Sequence, residues 1–281
     1  MSALPRISIV TPSFNQGDFL EETIQSVLDQ GYPNLEYLIL DGGSTDNSVE
    51  IIKKYEDHLA SWRTHADDGQ AAALREGFEN ASGEILNWLN SDDLLTPEAL
   101  FAVAETYIEH GPDVVIAGGC RVFGAKQEPV EHWPSFQSEF NLPEPMPVHQ
   151  MLDMAVHWFP GEFFYQPEVF VPAKAYRTVG GIDPTIFYTM DYDLWMRLAL
   201  ASVQVVVVDR ILAAYREHPG QKTADLTSLH RQMIDTANRY LDADQIDLSR
   251  SRRAVLATSN RLSLNRTTRR GVALMRKLLD V

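Results

Sequence analysis

Two adjacent carboxylates, Asp92 and Asp93, stand just beyond the apolar run Ile85 to Trp88, in the segment Leu89-Asn90-Ser91-Asp92-Asp93. At the carboxyl end of a strand in an open parallel sheet, such acids face the ligand crevice. Hard oxygen donors there suit Mg²⁺ or Mn²⁺ shared with substrate phosphates. Alone, the pair has a second reading as a cap for the following turn. Two more segments weigh against that reading, Thr11-Pro12-Ser13-Phe14-Asn15 and Asp41-Gly42-Gly43-Ser44-Thr45-Asp46, each at the end of a strand-like run. Three strand ends would then bring small, polar and acidic residues to one crevice. The glycines at 42 and 43 permit a tight turn and close backbone approach, and Ser44 or Thr45 can cap the next helix. Asp41 can accept the imide hydrogen of a uracil ring.

The elements that must position these residues follow from periodicity. Strands are predicted over Arg6 to Thr11, Leu35 to Leu40, Ser61 to His65 and Ile85 to Trp88, separated by helices over Phe19 to Gln30, Ser48 to Leu59 and Gln70 to Asn80. A further helix is predicted from Pro97 to His110, with Thr96 as its N-cap and Pro97 at its first position. Strand and helix alternating at this spacing build consecutive βαβ units and a mostly parallel sheet. Beyond it come a strand over Asp113 to Gly119 and a Pro- and aromatic-rich stretch, Glu128 to Phe164, that reads as loops over a site. Helices follow at Ala173 to Val179 and Asp191 to Ala201, and the β-branched run Val203 to Asp209 suits a strand buried on both faces. The body closes near Tyr215, and residues 221 to 280 read as helical with a break around Asp242 to Asp247. The domain expectation is 1–220, divided into a nucleotide-binding half (1–110) and an acceptor half (111–220), with a helical extension over 221–281.

The chain has 281 residues, 44% of them hydrophobic and 22% charged, which excludes a disordered chain or a membrane-embedded bundle. The single cysteine, Cys120, excludes an intramolecular disulfide and reads as a small buried thiol in a reducing compartment. With no basic-then-apolar leader and no apolar run near the roughly 20 residues of a bilayer span, the expectation is a cytoplasmic protein. The net charge is -15, yet residues 250 to 281 carry +8, leaving -23 on the rest. Such an acidic body disfavours nucleic-acid binding. For the basic segment two readings stay open: contact with an anionic membrane surface, at the inner face of the membrane, and docking on the chain's own acidic body or on a second subunit in a homodimer.

The run from Ile7 to Leu100 resembles the nucleotide-binding half of family 2 glycosyltransferases, whose fold is GT-A: α/β, a mostly parallel Rossmann-like sheet flanked by helices. The opening strand and loop through Asn15, the helix Leu20 to Gln30, the Asp41 to Asp46 turn, Asp68-Gly69-Gln70 and the pair Asp92-Asp93 match in order. The resemblance implies an inverting transfer from a nucleotide-diphosphate sugar, UDP-linked, to a hydroxyl of a glycan or lipid-linked acceptor in polysaccharide biosynthesis. Thr11 and Asp41 would meet the base and ribose and Asp92 the ribose or sugar, with Pro12, Ser13, Asn15 and Asp68 lining the donor site. Asp93 would hold the Mn²⁺ or Mg²⁺ bridging the diphosphate. The chain departs from the family at Ala72 and Arg75, where an acid and an Asn are common. Arg75 either charges the phosphate site or sits on its helix surface.

Two later segments extend the resemblance. In Thr189-Met190-Asp191-Tyr192-Asp193-Leu194-Trp195, Met190 replaces the first acid of a frequent pair, and the base role passes to Asp191. The alternative is that Asp191 or Asp193 caps the helix and pairs with Arg197. In Tyr215 to Thr223, His218 is the candidate second metal ligand and Lys222 a cation for the diphosphate. Gln166 and Trp195 are the candidate acceptor contacts. A sugar-1-phosphate nucleotidyltransferase is disfavoured because Thr11 to Gly17 lacks a basic Gly-rich loop, and a dehydrogenase because Gly-X-Gly-X-X-Gly is missing. A catalytically silent binding module is disfavoured by the four acids Asp41, Asp92, Asp93 and Asp191.

Overall fold

The computed structural model describes residues 4–124, 127–161, 163–242 and 246–264. The first half runs β1 (Ile7–Ser13), α1 (Leu20–Leu28), β2 (Leu35–Asp41), α2 (Ser48–Lys54), β3 (Ser61–Thr64), α3 (Gln70–Asn80) and β4 (Ile85–Trp88). β1 lies between β2 and β4, parallel to both, and β3 forms the edge. All seven residues of β1 are buried, as a strand covered on both faces requires. Its side chains alternate between two cores: Ile7 and Ile9 join Leu20, Ile24, Ile52 and Val103 on one face, while Val10 joins Leu74, Phe78 and Trp88 on the other. Helix α3 approaches the sheet closely at Gly77, where a Cβ would stand 2.5 Å from Val10 Cγ1.

Beyond β4 the chain runs β5 (Leu94–Leu95), α4 (Ala99–His110), β6 (Val114–Gly124), β7 (Gln127–His132), β8 (Glu144–Pro145), α5 (Val148–Met151), β9 (Val169–Pro172), α6 (Ala173–Thr178), α7 (Met190–Leu200), β10 (Gln204–Glu217), α8 (Leu226–Asp242) and α9 (Arg250–Leu262). The sheet order is β3-β2-β1-β4-β9-β6-β10-β5, with β7 on β6 and β8 on β10. β9 inserts antiparallel between β4 and β6, joining the parallel first half to the long parallel pair β6 and β10. The result is the expected mixed α/β layer structure with a mostly parallel sheet.

Several details differ from the sequence expectations. Helix α4 starts at Ala99, after Glu98 in a left-handed conformation. Thr96 does not cap it; its hydroxyl donates to the Ile211 carbonyl of β10. The stretch expected to be loops contains β7, whose Val130 is exposed and shows no buried period. β10 extends to Glu217, well past Asp209, with register irregularities between Val207 and Ala213. Such bulges bend a strand and re-aim its later residues; here they carry Tyr215 and Arg216 to the cleft. Cys120 is buried and unpaired, as expected.

Helices α8 and α9 give Ile234, Ala237, Leu241 and Leu256 to the core that holds Trp88 and Trp195. Asn260 of α9 accepts from Met154 N at 3.1 Å and donates to Leu152 O at 2.9 Å. The helical expectation for 265–280, and residues 243–245 of the expected break, lie outside the described residues. No helix among the described residues is long and apolar enough to cross a membrane.

Candidate active site

Strand β4 ends against Leu89, and the chain turns sharply, Asp93 N donating to Asn90 O at 3.1 Å. Asp93 points inward and is 1% exposed. Its carboxylate accepts from Arg216 N at 3.0 Å and from Asn90 Nδ2 at 3.1 Å, and its carbonyl from Thr23 Oγ1 at 2.9 Å. Burial, reinforced by the neighbouring Asp92, pushes its carboxyl well above the ordinary range despite these donors. Asp92 faces the cleft, its Oδ2 2.9 Å from His218 Nε2. His218 was expected beside Asp93; the structure brings it to Asp92 instead. The imidazole leans on the Phe19 ring, centroids 4.5 Å apart. Arg216 fixes this corner by donating to the Asp92 carbonyl at 2.9 Å and to Glu22 at 2.6 Å.

Among the described residues no group of three or more His, Cys, Asp or Glu side chains is set to hold a metal ion. One carboxylate oxygen and one imidazole nitrogen at the strand ends nevertheless form a donor set that Mn²⁺ or Mg²⁺ accepts, provided phosphates supply other positions.

On the donor side the structure gives three of the candidates partners within the protein. Thr11 is buried with its hydroxyl 3.0 Å from Tyr37 Oη. Asp41 is also buried, and both carboxylate oxygens are engaged, accepting from Gly43 N at 3.1 Å, Ser44 N at 3.0 Å, Ser44 Oγ at 2.5 Å and Thr64 Oγ1 at 2.6 Å. It organises the β2–α2 loop from within rather than standing free for a uracil imide. Gly43 is required there, at φ +85°, because a Cβ would lie 3.0 Å from Ala66 N. Arg75 sits partly exposed on its helix, paired with Glu79 one turn on at 2.5 Å. It donates to Gly180 O at 2.7 Å and Ile182 O at 3.1 Å, tying α3 to the turn before α7.

Of the other donor candidates, Pro12 is buried, and Ser13 Oγ is buried without a partner. Asn15 joins two loops, its N–H donating to Ser44 Oγ and its side chain accepting from Thr45 N, both at 2.8 Å. Asp68 is exposed at the entrance to α3. Sequence reasoning passed over Phe14, 61% exposed and lying against Gly42. An aromatic between Ser13 and Asn15, where a buried strand has just ended, was the available signal.

Across the cleft, Asp191 occupies the first turn of α7, where Tyr192 N donates to its Oδ1 at 2.7 Å. Burial raises its carboxyl above the ordinary range, and the Lys222 ammonium pulls the other way. Asp193 is occupied with Arg197, at 2.9 and 2.7 Å, and with Tyr240 Oη at 2.8 Å. The helix-pairing alternative thus describes Asp193, leaving Asp191 facing Lys222. Burial lowers Lys222 to about 8, against the opposing charge of Asp191. Its ammonium donates to Gln70 Oε1 at 2.8 Å and lies 4.2 Å from the Phe187 ring centre.

Both acceptor candidates are buried. Trp195 is 2% exposed and stacks on Trp88 with centroids 5.8 Å apart, a core contact. Its place on the buried side of α7 follows from tertiary packing, which a seven-residue motif does not encode. Gln166 is buried, donating to Trp88 O at 2.7 Å and accepting from Asn90 Nδ2 at 3.2 Å. The aromatic that is exposed on this side is Phe187, at 55%.

With this geometry in view, residues 8–159 match glycosyl transferase family 2. An uncharacterized glycosyltransferase of Rickettsia typhi is 27% identical over 228 residues, 78% of this chain and 66% of that protein. The chain thus spans just under two thirds of that relative's length. A putative teichuronic acid biosynthesis glycosyltransferase, TuaG of Bacillus subtilis, is 37% identical over 92 residues, 32% of this chain and 36% of its own. Among solved structures, Staphylococcus aureus TarS in complex with UDP-GlcNAc superposes with a TM-score of 0.66 at 18% identity, covering 93% of this chain and 74% of that one. A mannosyltransferase from Pyrobaculum calidifontis, in complex with GDP-Man and Mn²⁺, gives 0.59 at 16% identity, covering 99% and 88%. At these identities the structural likeness speaks for the GT-A fold.

Proposed function

The chain belongs to glycosyl transferase family 2, and from that premise we propose that it transfers a sugar from a nucleotide diphosphate, a UDP-sugar, to an acceptor hydroxyl with inversion at the anomeric carbon. The observation that carries this reading is the meeting of Asp92 with His218, and of Lys222 with Gln70, at the strand ends beside Asp191. An acid, an imidazole, a cation and a second carboxylate face one cleft from three separate segments, those after β4 and β10 and the start of α7. A UDP-GlcNAc complex and a GDP-Man complex among proteins of the same fold support a nucleotide-sugar donor.

In this reading Phe14 and the strand-end backbone of Thr11 to Ser13 receive the base. Asp92 and His218 would hold a divalent ion, Mn²⁺ or Mg²⁺, which supplies electrostatic stabilisation to the departing diphosphate. Lys222 adds a fixed positive charge on the same side. Asp191, its proton affinity raised by burial, takes the acceptor hydroxyl proton as that oxygen attacks the anomeric carbon from the face opposite the leaving group. Asp93 is a positioning residue: from inside the turn it receives the Arg216 N–H and so keeps the His218 segment over Asp92.

The proposed division assigns 1–110 to the donor and 111–220 to the acceptor, with α8 and α9 bracing the acceptor half. A polysaccharide or lipid-linked acceptor is supported by the likeness to TuaG over part of the chain. α9 docks on the body through Leu256 and Asn260 and turns Arg252, Val255 and Arg261 outward, leaving that face for an anionic lipid surface; the rest of the basic segment, 265–281, lies outside the described residues. The test is hydrolysis of a panel of UDP-, GDP- and TDP-sugars with Mn²⁺ or Mg²⁺. Turnover of a donor supports the reading, and no turnover together with no nucleotide binding overturns it.

A further inference from the structure

Lys222 has hydrogen-bond donors and no acceptor. That fact fixes the orientation of the side chains behind it. Its ammonium donates to Gln70 at 2.8 Å, so the oxygen of the Gln70 amide must face Lys222 and the nitrogen must face away. That nitrogen donates to Asn90 Oδ1 at 2.7 Å, so the Asn90 nitrogen in turn faces Asp93 Oδ2 at 3.1 Å. Every N–H in the series points from the cation toward the carboxylate. Rotating either amide by half a turn would set N–H against N–H and oxygen against oxygen. The same Asn90 nitrogen lies 3.2 Å from Gln166 Oε1, and Gln166 is anchored on the Trp88 carbonyl at 2.7 Å.

Hydrogen bonds aligned in one direction polarise one another. The series also spans the molecule: Gln70 opens α3, Asn90 follows β4, and Lys222 follows β10, 152 positions beyond Gln70. A lysine side chain left to itself retains about 2 kcal/mol of rotamer freedom that any ligand contact must remove. Here the Gln70 carbonyl and the Phe187 ring remove it in advance.

We propose that Gln70 is a positioning residue for the donor diphosphate, holding the Lys222 ammonium in the cleft through the one-directional series Lys222, Gln70, Asn90, Asp93. One donor of the ammonium goes to Gln70, and the others remain for phosphate oxygens. The proposal rests on the nucleotide-sugar reading above and adds to it the group that places the cation.

The experiment compares the affinities of UDP and uridine, or GDP and guanosine, in the presence of Mg²⁺ by titration calorimetry. Lys222→Met and Gln70→Met are each expected to weaken UDP binding about tenfold while leaving uridine binding unchanged, and the double variant is expected to be no weaker than Lys222→Met alone. Unchanged uridine binding separates lost positioning from lost folding. Should Gln70→Met unfold, Gln70→Ala removes the amide without adding bulk and carries the same comparison. A wild-type UDP-to-uridine ratio in the Gln70 variant, or losses that add in the double variant, overturns the proposal while leaving the donor reading intact. A wild-type protein that binds none of these nucleotides overturns the donor reading itself.

Discussion

The β2–α2 loop and the end of β10 with the segment after it take their hydrogen-bond partners from very different distances along the chain. Asp41 spends its carboxylate on Gly43, Ser44 and Thr64, all within 23 positions of it in sequence. His218, Lys222 and Arg216 take partners 126, 152 and 194 positions away. The first region is tied together by its own bonds and by those to the neighbouring β1–α1 loop. The second adds to its own bonds through Gln221 and Tyr215 a few charged contacts to distant elements. The loop is therefore set largely by bonds of short and middle range, whereas the charged groups after β4 and β10 meet only when the whole sheet has closed.

Substitutions can break that comparison, and the largest effect is expected at Asp191. Asp191→Asn should lower kcat roughly 10²- to 10⁴-fold with nucleotide affinity nearly unchanged; wild-type transfer in a coupled UDP-release assay would remove Asp191 as base. Next comes His218→Ala, expected to weaken Mn²⁺-dependent nucleotide binding by at least about tenfold while leaving metal-free binding in place. Equal losses with and without metal would assign His218 to packing against Phe19 alone.

A pH series sharpens the comparison at Lys222. Because burial lowers this ammonium to about 8, its charge is present below that pH and is lost as pH rises through it. Activity of the wild type should fall on the alkaline side there, and Lys222→Arg, which stays protonated, should lose that limb. Lys222→Met should also move the acid limb upward, since the charge that counters the burial of Asp191 is gone. An alkaline limb that persists in the Arg variant would belong to another group. The smallest effect is expected at Arg75→Ala, which removes hydrogen bonds to Gly180 and Ile182. It should cost about 1 kcal/mol in thermal unfolding and leave UDP affinity unchanged. A drop in UDP affinity would return Arg75 to the donor site.

Much of the scaffold was legible before any coordinates. β1, β2, β4 and α3 lie where the apolar periods put them, because a strand buried on both faces and a helix covering it each leave a strong local pattern, and β3 lies where predicted although it is an edge strand with no buried residue. β9 was not legible: its four residues form a strand only because β4 and β6 offer edges on either side. Thr96 failed as a cap for a related reason, its hydroxyl being claimed by Ile211 from across the sheet.

For the candidate site, residue type and place pointed to Asp92 and Asp93 at the end of β4, while Asp191, His218 and Lys222 were singled out by the family resemblance. Which acid meets the imidazole, which aromatic is exposed and which amide holds the lysine were decided only by the tertiary structure. Asp93 rather than Asp92 turned inward, Trp195 rather than Phe187 entered the core, and Gln70 met a residue 152 positions away. The sequence by itself determined the inventory of groups and the strands that carry them, because those follow from local chemistry and period. Their pairing required the folded sheet, because burial and long-range hydrogen bonds exist only once distant segments share one cleft.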